Sequence, residues 1–130
     1  MEIAVSHDQG RVPVTVFRLT GPVTDSAELE QRAASAVAEG AQNLLIDLSG
    51  VPYMATAGLR ALHAIYTMLR SSAPEESDGA VKSGIMAGTF YSPHLKLLKP
   101  SPHVFEALST AGYDMFLQIH TDYQQALASF

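Results

Sequence analysis

Apolar and polar positions along the chain change period several times, and each change marks an element. Glu2 to Ser6 and Val12 to Leu19 read as strands. In the second, Val12, Val14 and Val16 alternate with Pro13, Thr15 and Phe17, and Asp8-Gln9-Gly10 between the runs carries turn chemistry. The pair predicts an antiparallel hairpin. Beyond Gly21-Pro22 the period lengthens: Leu29, Ala33, Ala36 and Val37 recur at helical spacing over Ala27 to Glu39, preceded by Thr24-Asp25-Ser26 and ended by Gly40. Asn43 to Leu48 returns to a strand, and the breakers Gly50 and Pro52 lead into a second helix from about Ala57 to Arg70. Leu95 to Lys99 is again a strand. Ser101-Pro102 has the chemistry of a helix start, a cap followed by a proline whose missing N–H costs nothing in the first turn, and Val104, Leu108 and Ala111 carry that helix to Gly112. Phe116 to Ile119 reads as a short strand, and Thr121 with Gln124 has capping-box spacing for a last helix ending at Phe130.

The order is ββαβαβαβα, with a long loop after the second helix. Strands alternating with helices imply an α/β fold: a central mixed, mostly parallel sheet of four to five strands, an N-terminal hairpin and four helices. Leu29, Leu62, Phe105, Leu108, Phe116 and Leu127 are its candidate core. The 130 residues make one domain, with residues 71–93 as a loop insertion. Pro74, Glu75, Glu76, Asp78 and Gly79 mark residues 73–84 as disordered, whereas Gly84 to Tyr91 (GIMAGTFY) is apolar enough to pack locally or to bind something. Phe90-Tyr91 reads as a contact or as cover for a sheet edge.

Composition narrows the function mainly by exclusion. A formal charge of −5 with 8 Lys and Arg lacks the basic footprint of nucleic-acid binding, and no apolar run approaches the ~20 residues that span a bilayer. The start, MEIAVSHDQG, has neither the basic nor the apolar region of a secretory leader, so a cytoplasmic protein without membrane insertion is expected. Zero cysteines remove disulfides and thiolate chemistry. His7, His63, His94, His103 and His120 are scattered without the paired helical spacing or the accompanying carboxylates that a metal site requires, so no metal site is assigned. The glycines never form GxxxxGK or GxGxxG, and Ser101 stands at a helix cap rather than in a nucleophile elbow. No catalytic residue and no cofactor is assigned.

Chemistry gathers in residues 44–62, LLIDLSGVPYMATAGLRAL, a strand, a turn and a helix start. Ligands of parallel sheets collect beyond the carboxyl ends of the strands, where Thr56 falls. Its hydroxyl has two readings. It is a plain cap accepting from the Gly58 or Leu59 N–H, or it is a phosphate acceptor beside the positive end of the helix dipole. Asp47 is expected to cap the turn that Ser49 and Gly50 make. On the helix, Leu59, Leu62, Tyr66 and Leu69 form an apolar stripe while Thr56, Arg60, His63, Thr67 and Arg70 lie on another face. That face is either ordinary solvated surface or a docking face for an acidic partner.

The phrase DLSGVPYMATAGLRAL resembles the signature of the STAS domain family, in which an Asp-Leu-Ser turn leads to Met-Asp-Ser-Ser-Gly-Leu or a close variant. LTGPVTDSAELEQRAASAVAEG resembles the family's Leu-x-Gly turn and first helix, and LKLLKPSPHVFEALSTAGYDMFLQIHTDYQQAL its remaining strands and helices. The likeness covers the chain apart from residues 71–93. It implies an anti-sigma factor antagonist, a non-enzymatic module whose partners are an anti-sigma factor of serine/threonine kinase type and a phosphatase. The family's phosphorylated hydroxyl falls on Thr56; its Asp becomes Ala55, its second small hydroxyl residue becomes Ala57, and its Gly-Leu is kept as Gly58-Leu59. Ala55, Thr56, Ala57, Gly58, Arg60 and His63 are then the candidate partner-binding residues. Two alternatives stand beside this reading. Thr-Ala-Gly-Leu also resembles the motif of STAS subunits of phospholipid-trafficking ABC transporters, which dock on an ATPase. From another class, the helix start could serve a nucleotide-binding or phosphate-handling enzyme domain. The oligomeric state stays open.

Overall fold

The structure is a computed structural model that describes residues 1–71 and 92–130; the expectations for the stretch between them, Phe90-Tyr91 included, lie outside the described residues. Strands β1 (Glu2–Gln9) and β2 (Pro13–Thr20) lead to α1 (Ala27–Ala38), β3 (Leu44–Gly50) and α2 (Thr56–Ser71). Then follow β4 (Leu95–Leu98), α3 (Pro102–Thr110), a 3-10 turn (Tyr113–Met115), β5 (Gln118–His120) and α4 (Tyr123–Ser129). The strands lie side by side in chain order, β1 antiparallel to β2 and every later pair parallel. This is the predicted mixed, mostly parallel sheet with its N-terminal hairpin.

The boundaries moved where long-range contacts outweigh local chemistry. The β1–β2 ladder continues through His7–Thr15, Asp8–Val14 and Gln9–Pro13, so Asp8 and Gln9 are strand and the turn begins at Gly10. Gly10 fits there because a Cβ would lie 2.5 Å from the Leu127 carbonyl oxygen of α4. Phe116 closes the 3-10 turn rather than opening β5. The last helix is capped one residue later than Thr121: Asp122, in extended backbone, accepts from the Gln125 N–H at 3.1 Å. Ser101 caps α3 as expected, accepting from the Val104 N–H at 3.3 Å.

Alternation along the strands divides the core in two. Phe17, Leu19, Leu44, Ile46, Leu48, Leu95 and Leu97 pack with Leu29 and Ala33 of α1, Leu62 and Ile65 of α2, and Val104 and Leu108 of α3. On the other face, Val14, Val16, Leu45 and Leu98 meet Ala126 and Leu127 of α4. Phe105 is a correction: it is 44% exposed, since Val104 and Leu108 take the inward side of α3. Lys96 is the unexpected occupant of the second face. Buried to 3% exposure, it donates from Nζ to the Ser129 carbonyl at 2.7 Å and hydroxyl at 2.9 Å, and burial holds its pKa below the usual lysine range. Tyr123 donates to Asp8 at 2.7 Å and ties α4 to the hairpin; burial, then Asp8, pushes its phenol up to about 12.

Candidate functional site

The β3–α2 junction is built by hydrogen bonds from three directions. Asp47, paired in register with Arg18 of β2, is 5% exposed; one carboxylate oxygen accepts from the Ser49 N–H at 2.9 Å and the other from Arg18 Nε at 3.1 Å. The carboxylate therefore caps the turn, as expected, and also pins it to β2. Beyond Gly50 the chain keeps pairing with the segment after β2. The Gly21 N–H donates to the Gly50 carbonyl at 2.9 Å, the Val23 N–H to Tyr53 at 2.9 Å and the Ala55 N–H to Val23 at 2.8 Å, making a parallel bridge between Val23 and Met54. From below, the Ser101 hydroxyl donates to the Val51 carbonyl at 3.3 Å.

Burial pushes the Asp47 carboxyl up, but the Ser49 amide and hydroxyl and the Arg18 guanidinium outweigh it and set the pKa below its ordinary 3.8. The folded form thus binds this proton less readily than the unfolded chain. The resulting stability is present above about pH 4 and disappears as pH falls through the lower folded pKa. Asp47→Asn is expected to cost about 1–3 kcal/mol at neutral pH, towards the lower end because Arg18 is largely exposed and its charge is screened. Urea titrations at pH 7 and pH 3 check this: the gap between wild type and variant should narrow in acid. A gap independent of pH would overturn it.

Thr56 is not the cap. It is the first residue of α2, and Ala55 occupies the capping position, its carbonyl accepting from the Gly58 N–H at 2.9 Å and the Leu59 N–H at 3.2 Å. The bridge between Val23 and Met54 sets the chain direction one residue earlier than the sequence suggests. Freed from capping, the Thr56 hydroxyl is exposed and makes no hydrogen bond among the described residues. The Thr56 and Ala57 N–H groups also lack a protein acceptor among them. Anionic oxygens near the hydroxyl would meet those two amides and the positive end of a 16-residue helix.

Gly58 explains why the helix can start here. A Cβ at this position would stand 2.7 Å from Met54 Cγ and 2.8 Å from Val23 Cγ1, so only glycine lets α2 press onto the bridge. Ala61, Leu62, Ile65, Tyr66 and Leu69 continue the buried face, with Leu59 half-buried and its carbonyl accepting from the Tyr113 hydroxyl at 2.7 Å. Thr56, Arg60, His63 and Thr67 are exposed together on the other side. Arg70 differs from the expectation: it is half-buried, with its guanidinium 6.0 Å from the Tyr66 ring centroid. Ala55 and Ala57 are half-buried and Gly58 is buried, so Thr56, Arg60 and His63 are the candidates that offer exposed side chains.

Sequence reasoning missed two features of this region. Tyr53, 47% exposed, lies with its ring centroid 5.8 Å from that of His103 at the start of α3, and this pair adds an aromatic edge to the junction. Arg18 was missed as the partner of Asp47. The only signal for Tyr53 was an aromatic residue inside a turn. Among the described residues, no three His, Cys, Asp or Glu side chains are grouped to hold a metal, and no helix is long and apolar enough to cross a membrane.

With the geometry in view, comparisons with known proteins give the fold its context. A family model described as STAS domain matches residues 5–73. No curated protein sequence matches the chain at significance. An anti-sigma factor antagonist from Mycobacterium paratuberculosis superposes with a TM-score of 0.69 at 21% identity, over 98% of this chain and 93% of that one. The Bacillus cell fate determinant SpoIIAA in its phosphorylated form gives 0.61 at 16% identity, over 95% and 96%. An anti-sigma-factor antagonist (STAS) domain protein from Planctomyces limnophilus gives 0.63 at 23%, over 96% and 94%. At these identities the likeness concerns the fold.

Proposed function

Because the chain belongs to the STAS domain family, we propose that it acts as an anti-sigma factor antagonist, a non-enzymatic module that docks an anti-sigma factor of kinase type around the start of α2. The observation that carries this reading is the exposed hydroxyl of Thr56, unbonded among the described residues, on a rigidly braced junction in a fold whose solved neighbours include anti-sigma factor antagonists. Unmodified, the face of Thr56, Arg60 and His63 binds the partner and so releases the sigma factor. Phosphorylation of Thr56 adds about −1.5 to −2 charges and breaks that contact, and a phosphatase restores it.

Ala55 fits this scheme in an instructive way. The resembling signature has Asp there, a residue suited to the cap; Ala55 uses only its backbone and leaves the Thr56 and Ala57 amides without an acceptor among the described residues, available to a phosphate. Incubation with the kinase-type anti-sigma factor of the same genome and ATP, followed by peptide mass spectrometry, is expected to place one phosphate on Thr56. Labelling that persists in Thr56→Ala would overturn the assignment.

A further inference from the structure

The described residues hold a concave site at the opposite end of the sheet from Thr56. A cavity of about 600 Å³ lies between α1 and the β1–β2 hairpin, a volume within the range of small-molecule sites. Register places it: Thr15 pairs with His7 on one side and with Leu44, the first residue of β3, on the other. Thr56 lies beyond the last residue of β3.

Alternation puts Val5, His7, Thr15 and Phe17 on the face that α1 covers, yet the cover is incomplete. Val5 is 42% exposed although its cross-strand partner Phe17 is fully buried. Thr15 lines the cavity at 5% exposure, and its hydroxyl has no hydrogen-bond partner among the described residues. It is free to bond a ligand there in place of solvent. Arg32 of α1 and Glu39, the residue that ends it, line the same cavity, and neither forms an ion pair with a described residue. Seven residues apart, they share one helix face and stand about 10 Å apart along its axis. The groove thus offers a cation at Arg32, an anion at Glu39, an apolar floor and the Thr15 hydroxyl, while its other carboxylate, Asp8, already accepts from Tyr123.

We propose that this groove binds a short free peptide in extended form, its carboxylate at Arg32, its terminal ammonium at Glu39 and a backbone polar group on the Thr15 hydroxyl. An extended residue spans about 3.3–3.6 Å, so three residues match the separation of the two charges. A free peptide satisfies both charges and brings amide groups that can bond the Thr15 hydroxyl, whereas a simple anion or cation answers one end and is repelled by the other.

The probe is trialanine titrated into isotope-labelled protein and followed by amide chemical shifts. Saturable shifts at Thr15, Arg32 and Glu39 are expected in the millimolar range, and acetylated, amidated trialanine, which lacks both charges, should bind about tenfold more weakly or less. Arg32→Glu, an exposed substitution that leaves the core intact, should abolish the shifts, and the near-isosteric Thr15→Val should weaken them severalfold. Absence of saturable shifts, or equal binding of the capped peptide, would overturn the assignment.

Discussion

Gly58→Ala is expected to lower stability by about 1–3 kcal/mol, and Gly58→Val by more, because the added carbon enters occupied space. At an open helical position the same alanine would raise stability by roughly 0.5–1 kcal/mol. The sign is reversed here because Met54 Cγ and Val23 Cγ1 would both stand inside 3.0 Å of the new Cβ. Neither neighbour retreats easily. Val23 is fully buried with its N–H and carbonyl both held by the junction, and Met54 is 3% exposed. Urea unfolding measures the loss, and a double-mutant cycle with Met54→Ala tests its origin. Truncating Met54 has its own cavity cost, but it should relieve part of the Gly58→Ala penalty. Losses that simply add, within about 0.5 kcal/mol, would remove the steric explanation.

The order of elements was legible because it depends on period, and period is local. The change from alternation in β2 to helical spacing in α1 survives any tertiary context that buries one face of each. The split of α2 into an exposed side with Thr56, Arg60 and His63 and a buried side with Leu62, Tyr66 and Leu69 was readable for the same reason. What escaped the sequence depends on residues far apart in it. Arg18 and Asp47 are 29 positions apart and meet only through the β2–β3 register. Tyr53 and His103 meet because α3 begins beneath the junction, held by Ser101 on Val51. The shift of the cap from Thr56 to Ala55 belongs to this class too. Local propensity favours the hydroxyl residue, but the Val23–Met54 bridge fixes where the helix begins. Lys96 shows the opposite failure, a charged residue inside an otherwise apolar strand that nothing local marks as buried.

Thr56→Glu is expected to separate folding from binding. A negative charge at the first residue of α2 lies next to two N–H groups without an acceptor among the described residues and the positive helix end, which contributes roughly 0.3–1 kcal/mol in favour of the folded state. Thr56 loses no hydrogen bond among the described residues by the change, and its side chain is exposed, so no packing is sacrificed. Thermal unfolding should therefore show a melting temperature equal to wild type or slightly higher. Binding at the proposed docking face should respond the other way. A charge placed one turn from Arg60 offsets that cation towards the proposed acidic partner and must be desolvated at the contact, a combination expected to cost about 1.4–3 kcal/mol or a tenfold to hundredfold loss of affinity. Calorimetric titration against the proposed partner, the kinase-type anti-sigma factor of the same genome, reads this directly, with Thr67→Glu, three turns along the same exposed side, as the control for charge alone. Retained affinity in Thr56→Glu would place the interface elsewhere on the domain. An equal loss in Thr67→Glu would reduce Thr56 to one contributor to a general electrostatic field.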